Sequence, residues 1–444
     1  MGRALPNRRG WTSHAKSGRQ SPAMTASDVI LSRRTLLAGV AATVATGGPP
    51  ALAANDVAIP LALTLKTSPA GSERAVFLVD AARGDAGLRF RRGEVLRLAV
   101  TSALEQPVLI NARGFDGLSA LEPLLVQPPL QPGATFRGDL PLTNAGIFAL
   151  DAQAFDGPAF DGAHTPMPVL PIVVDDPAEP QVDRDQTLLL SEKGATYEIN
   201  GQPHLDLPLR AAERVRLRLI NGCPRKALAL QVPDHAVQVI AMDSRPTEPF
   251  PAREGRLVLA PGARIEVMFD ATAAPGTISP IQLFDGTGPK EIARLVYTAD
   301  APVRPQPLAA IKPMTVVTPL DLRNALRSEL VLAGSAADAK WQTASSLLAG
   351  RGEPAFRIKR GRTAVLALKN TTKAPQVFRL HGHHVRWLDR LDDGWKPFVL
   401  DTLVLDTGQT ERIAFAAEHA GAWLMEAVPL EASAPGRLRW FAVD

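Results

Sequence analysis

The chain has 444 residues, 45% hydrophobic, 21% charged and 5% aromatic, a length for two or three domains and an apolar fraction that excludes global disorder. Its single cysteine, Cys223, excludes an intramolecular disulfide framework and any cysteine-rich zinc or iron–sulfur site. The formal charge of +4 belongs to the N-terminus, because residues 1–53 carry seven basic residues and one acid and the remainder is slightly acidic; the charge footprint of a nucleic-acid binder is therefore missing.

In chain order, the first element is a leader. Ser32-Arg33-Arg34-Thr35-Leu36-Leu37 precedes a weakly apolar run to about Val44, then Pro49-Pro50 and the small-residue site Ala51-Leu52-Ala53. Charged, apolar and cleavable regions in that order predict a signal peptide over 1–53. The paired arginines resemble a twin-arginine export signal, which implies a periplasmic destination and the twin-arginine translocase as a partner during export. Met24 would give a leader of ordinary length. The apolar run is too short to span a bilayer, and no other run approaches that length, so no transmembrane segment is expected in the mature chain.

The 34 glycines and 39 prolines suit many short strands and turns better than long helices. Three segments alternate apolar and polar residues: Phe90 to Val100, Leu209 to Asn221 and Phe356 to Asn370. Period-two alternation marks strands with one buried face. Each is followed, 40–50 residues on, by a turn and a second strand: Pro132-Gly133 to Phe136, Pro261-Gly262 to Phe269 and Thr407-Gly408 to Phe415. The recurrence is an internal repeat of units sized for antiparallel sandwiches. The expected fold is all-β, with domains over 54–176, 177–303 and 304–444. Pro/Asp-rich stretches near 175–183 and 300–308 read as linkers, and a helix is expected over 320–330.

Phe378-Arg-Leu-His-Gly-His383, Asp401-Thr402, Gly421-Ala-Trp423 and Gly436, with Arg218-Leu-Ile-Asn221 and Ala241-Met-Asp243, resemble the multicopper oxidase superfamily across nearly the whole mature chain. The resemblance implies three tandem cupredoxin-like Greek-key sandwiches. It also implies one electron-accepting copper, held by a thiolate and imidazoles, and a three-copper cluster held by imidazoles between the first and third domains. Thiolate and neutral imidazole hold copper in both redox states, whereas amide, guanidinium and alkyl groups do not.

Set against the family's motifs, the spacing is kept and the ligands are changed. The first motif's imidazoles fall on Asn111 and Arg113, and the second's on Asp151 and Gln153. In the third, the ligand positions are Gln376, Arg379 and His381. In the fourth, Glu426, Ala427, Val428 and Ala432 stand where the family has its imidazoles and thiolate, and Arg437 takes the axial position. Of the family's ligands, only His381 is retained. Ala427 cannot bind copper, and Arg113, Arg379 and Arg437 are fixed cations that would repel it.

These positions predict a polar network in which Arg113, Arg379, Asp151 and Glu426 meet, with Asn111 and Gln153 nearby. It would join the first and third domains, either as satisfied structural ions or as a recognition site. His381 and His383 share a strand face in this reading and are remnant metal candidates, against the plainer reading of hydrogen-bonded histidines. Cys223 reads as a small buried hydrophobe, Trp387, Trp395 and Trp423 as packing residues, and Asp389 to Gly394 as a polar loop that could face a partner.

The expectation is a non-catalytic periplasmic binding or scaffold protein with no cofactor, similar to the SufI/FtsP type of cell-division protein, with a protein partner such as the division machinery. Two alternatives stay open: a copper-dependent oxidoreductase with a remodelled site, and a metal-handling protein using His381 and His383.

Overall fold

The computed structural model describes residues 58–67, 75–79, 88–155, 168–306, 309–312, 319–333, 340–388, 395–430 and 436–444. The leader, the loop 389–394 and Ala432 lie outside them, as does the side chain of Trp395. The described residues form six sheets in three pairs. Strands between 58 and 175 make two four-stranded sheets, those between 184 and 297 a six- and a five-stranded sheet, and those between 326 and 443 two five-stranded sheets. No described helix is long and apolar enough to cross a membrane.

The same pairings recur in each sandwich. In one sheet, parallel ladders join 58–65 to 95–102, 184–190 to 215–221 and 326–332 to 364–370. In the opposite sheet, 88–91 runs parallel to 172–175, 205–209 to 293–297 and 357–358 to 442–443. The glycines of the three repeated turns, Gly133, Gly262 and Gly408, have φ of 75°, 77° and 75°, a conformation that costs glycine little. Each donates its N–H to the end of the strand it follows, at the carbonyls of Ser102, Asn221 and Asn370. Asn221 and Asn370 also spend their side chains alike. Each Nδ2 donates to two backbone carbonyls and each Oδ1 accepts a backbone N–H two residues on.

Two sequence expectations need correction. Each long alternating segment is two strands, not one. Leu88–Arg91 gives way to Val95–Ser102, Leu205–Leu209 to Arg214–Asn221, and Arg357–Ile358 to Thr363–Asn370. Left-handed residues Gly93, Ala212 and Gly361 turn the chain there and carry it from one sheet to the other. Alternation continues across the crossover because both strands face the same core. The helix expected over 320–330 is instead the strand Leu326–Leu332, because the parallel ladder to 364–370 overrides its local helical composition. The described α-helix is Ala344–Ala349, capped by Thr343, whose Oγ1 accepts from the Ser346 N–H at 3.2 Å.

One apolar core is continuous through the second and third sandwiches, and the first has its own. Between the first and third lies a smaller cluster, in which Ala344 and Leu347 of the helix meet Leu109, Phe155, Leu424 and Trp440. These cores bring one edge of the first sandwich against the third, where the polar residues meet.

Candidate functional site: a buried ionic seam

Two strand pairs carry the seam. Asn111 stands opposite Asp151 in the first sandwich, and Arg379 opposite Glu426 in the third. Asn111 Nδ2 donates to Asp151 Oδ1 at 2.8 Å, and Arg113 Nε donates to Asp151 Oδ2. Arg379 Nη1 lies 3.7 Å from Glu426 Oε2, and its Nη2 reaches the carbonyl of Ala112 in the first sandwich at 3.5 Å. His381 bridges two carboxylates, with Nδ1 2.8 Å from Glu122 and Nε2 3.4 Å from Glu426. Glu122 also accepts the Leu424 N–H at 2.9 Å. Asn111, Arg113, Glu122, Asp151, Arg379, His381 and Glu426 are all buried.

Burial opposes the Glu426 charge, yet the facing His381, Arg379 and Arg113 outweigh it and hold the carboxyl well below its usual range. Burial and Arg379 likewise oppose the His381 cation, but Glu122 and Glu426 prevail and raise its pKa. Burial, then the neighbouring Arg113, lowers that of Arg379. Arg379 is the loosest member: its Nε and Nη1 have no hydrogen-bond acceptor among the described residues.

Beside this seam, ions tie the second sandwich to both others. Arg264 donates to Asp401 and, through Nε, to Ser244 Oγ at 2.9 Å. Asp243 accepts the Asp401 and Thr402 N–H groups at 3.1 Å each and that of Arg264 at 3.0 Å. Burial and the nearby Asp401 charge push the Asp243 carboxyl above its usual range. Asp116, Arg245 and His384 come one from each sandwich. Arg245 pairs with Asp116, and His384 Nδ1 lies 2.7 Å from the same carboxylate. Further along, Glu266 accepts from Arg216 Nε at 2.8 Å, from Arg218 Nη1 at 3.0 Å and from the Ile147 N–H of the first sandwich at 2.8 Å.

Other positions singled out in the sequence fall elsewhere. Gln153 is half-buried opposite Leu109 and makes no described contact with the ionic residues. Gln376 Nε2 closes its own loop, donating to Thr372 Oγ1 at 2.9 Å. Ala427 lies in the apolar core, Val428 opposite Val377, and Arg437 opposite Ala427. Cys223 is fully buried in the apolar core. Trp423 donates to the His419 carbonyl and Trp387 to Glu411.

His381 and His383 do not share a face. The strand ends at Leu380, and Gly382, at φ 68°, turns the chain, which breaks the alternation the sequence suggested. His381 points to the carboxylates. His383 is packed among Phe415, Trp423, Phe441 and His419, where burial lowers its pKa to about 4. Among the described residues, no group of three or more His, Cys, Asp or Glu side chains is arranged to hold a metal ion.

Glu122, Asp116, Arg245 and Arg264 were not foreseen as site residues. Asp243 and Asp401 lie in segments that carried the resemblance, but nothing in the sequence indicated that they meet.

Family models described as multicopper oxidase match residues 175–278 and 325–444, together half of the chain. A multicopper oxidase of Mycobacterium tuberculosis, MmcO, is 24% identical over 248 residues. That match covers 52% of this chain and only 47% of the relative. Among solved structures, a multi-copper oxidase from Pseudomonas thermotolerans superposes with a TM-score of 0.71 at 21% identity, covering 87% of this chain and 98% of that one. The McoA multicopper oxidase of Aquifex aeolicus gives 0.68 at 16%, covering 87% and 96%. At such identities the structural likeness speaks for the fold alone. Family models and repeated sandwich architecture together place the chain: it belongs to the multicopper oxidase superfamily.

Proposed function

We propose that this protein is exported to the periplasm by the twin-arginine route and acts there as a non-catalytic binding or scaffold protein that has given up its family's copper sites. One observation carries the reading: two buried guanidiniums, Arg113 and Arg379, face Asp151 and Glu426 at positions where the family's motifs have imidazoles. Guanidinium has no lone pair to offer and always carries charge. The Asp151 oxygens are taken by Arg113 and Asn111, and both ring nitrogens of His381 face carboxylates. With Ala427 at the thiolate position, the residues present do not fit copper at either family site.

The family supports an oxidoreductase if the protein is an enzyme, and a copper-dependent oxidase with a remodelled site is the competing reading. The process we propose for the scaffold is protection of the division machinery, as in the SufI/FtsP type, supported by the leader, the fold and the altered ligand positions. The deciding experiment is elemental analysis of protein exported from cells grown with excess copper, together with dioxygen uptake on a phenolic substrate. We expect substoichiometric copper, no blue thiolate-to-copper absorption and no uptake. Stoichiometric copper with turnover would establish the competing reading.

A further inference from the structure

We propose that the outer face of one sheet of the third sandwich docks an acidic segment of a partner protein. The charge of the molecule is lopsided. Residues 304–444 hold 19 basic and 14 acidic residues, whereas 54–303 hold 23 and 30.

The ladder registers fix where part of the excess goes. Arg327, Val365, Ala414 and Arg386 form one row across four strands. Glu329, Ala367 and Arg412 form the next, and Val331, Lys369 and Thr410 the third. Residues two apart on a strand share a face, so Arg327, Arg386, Arg412 and Lys369 stand on one surface with Glu329 as its one acid among the described residues. The residues that alternate with them, such as Leu366, Leu368, Ile413 and Phe415, fill the core behind. Arg327, Lys369 and Arg412 are exposed and Arg386 is half-buried.

Among the described residues, none of these four cations has an ion-pair partner. Arg327 gives one bond to the Leu322 carbonyl at 3.2 Å, which leaves its charge uncancelled. Among the described residues the buried Arg386 Nε has no acceptor, and a desolvated donor left so is costly.

The chemistry selects the occupant. The middle of the face is small, with Val365, Ala367 and Ala414 between long basic side chains that span three strand spacings, about 14 Å. Basic donors spread over that distance, around a closed centre in which Val365 and Ala414 are buried, suit a chain bearing several carboxylates. A membrane surface is disfavoured, because peripheral binding also needs apolar side chains to insert. Among the described residues, the exposed large hydrophobics Leu78, Val126, Ile278 and Leu348 all lie elsewhere.

The inference deepens the scaffold reading by giving the partner's chemistry, and its test is independent of copper content. The exported protein is titrated against a labelled synthetic poly-glutamate peptide and, separately, against phosphatidylglycerol vesicles. Combined Arg327→Glu, Arg386→Glu and Arg412→Glu is expected to weaken peptide binding about ten-fold or more. Arg386→Gln alone should give a smaller loss, and Arg97→Glu with Arg137→Glu on the first sandwich none. Circular dichroism confirms that each variant is folded. Peptide affinity unchanged by the triple reversal, or reduced equally by the first-sandwich variant, overturns the proposal. So does face-dependent binding of vesicles without binding of peptide. Copper found in the same protein would sink the scaffold reading and leave the binding result standing.

Discussion

At the scale of single residues, close approaches between sandwiches decide what can be changed. Gly114 has φ of 86°, and a Cβ there would strike the Ser244 side chain. Ser244 is itself left-handed, at φ 68°, and is held by Ile147 and Arg264. Gly114→Ala should therefore destabilise by about 2–4 kcal/mol in denaturant titration. Adding Ser244→Gly should recover part of that loss, because it removes the clash and leaves the strained φ. A single Gly114→Ala variant as stable as wild type would contradict the close approach.

His383 makes a pH prediction. Burial is the first cause of its lowered pKa, so the neutral ring is the form the fold favours. Its stabilisation is present above the unfolded value of about 6.5 and is lost as pH falls through about 4, at most about 3 kcal/mol. His383→Leu should flatten the acid limb of stability over that window. An unchanged limb would show that the ring is not held neutral.

At the scale of elements, what the sequence revealed was local. Period-two alternation and the Pro-Gly or Thr-Gly turns mark the strands that pair around each turn, because the pattern and the turn residue both act within one ladder. Motif spacing brought Arg113, Asp151, Arg379 and Glu426 together, since equal spacing along paired strands fixes which residues stand opposite. What escaped depended on a turn or on distance. Gly382 separates His381 from His383, and no period-two pattern announces a left-handed residue. Glu122 reaches His381 and the Leu424 N–H from another sandwich, with nothing in its own neighbourhood to mark it. The helix expected over 320–330 failed for the same reason, because its partner strand begins some forty residues later.

The strand pairs of the seam make their own prediction. His381 is raised by Glu122 and Glu426 against burial. Its contribution is fully present below about pH 6.5 and is lost as pH rises through the raised value. His381→Gln should remove that alkaline decline, read as unfolding free energy against pH. Breaking the ion set from the other side, Glu426→Gln leaves Arg379 without its carboxylate and should cost about 3–5 kcal/mol. Arg379→Met with Glu426→Leu should cost much less, since no buried charge is then stranded. Equal losses in both variants would mean that packing, not charge, dominates there.

At the scale of the whole molecule, ions link sandwiches whose apolar contacts differ. The second and third share a continuous core. The first joins the second through a small patch of Ile147, Val173 and Ile220 and through Glu266 and its arginines, and it joins the third through the seam and the helix cluster. Its attachment is thus the more ionic, and it should be the first to separate. Asp116 is the sharpest test, because one carboxylate holds Arg245 of the second sandwich and His384 of the third. Burial opposes its charge, but His384 and Arg245 outweigh it and set its pKa well below the usual carboxylate range. Its contribution is present above the unfolded value of about 3.9 and is lost as pH falls through the depressed one. Asp116→Asn keeps the shape and removes the charge. Wild type should unfold in one calorimetric transition at neutral pH, and the variant should show an earlier one confined to the first sandwich. Limited proteolysis should then cut near 176–183 in the variant before the second and third sandwiches melt. A single transition in both proteins, with cleavage unchanged, would show that the apolar patches alone hold the first sandwich in place.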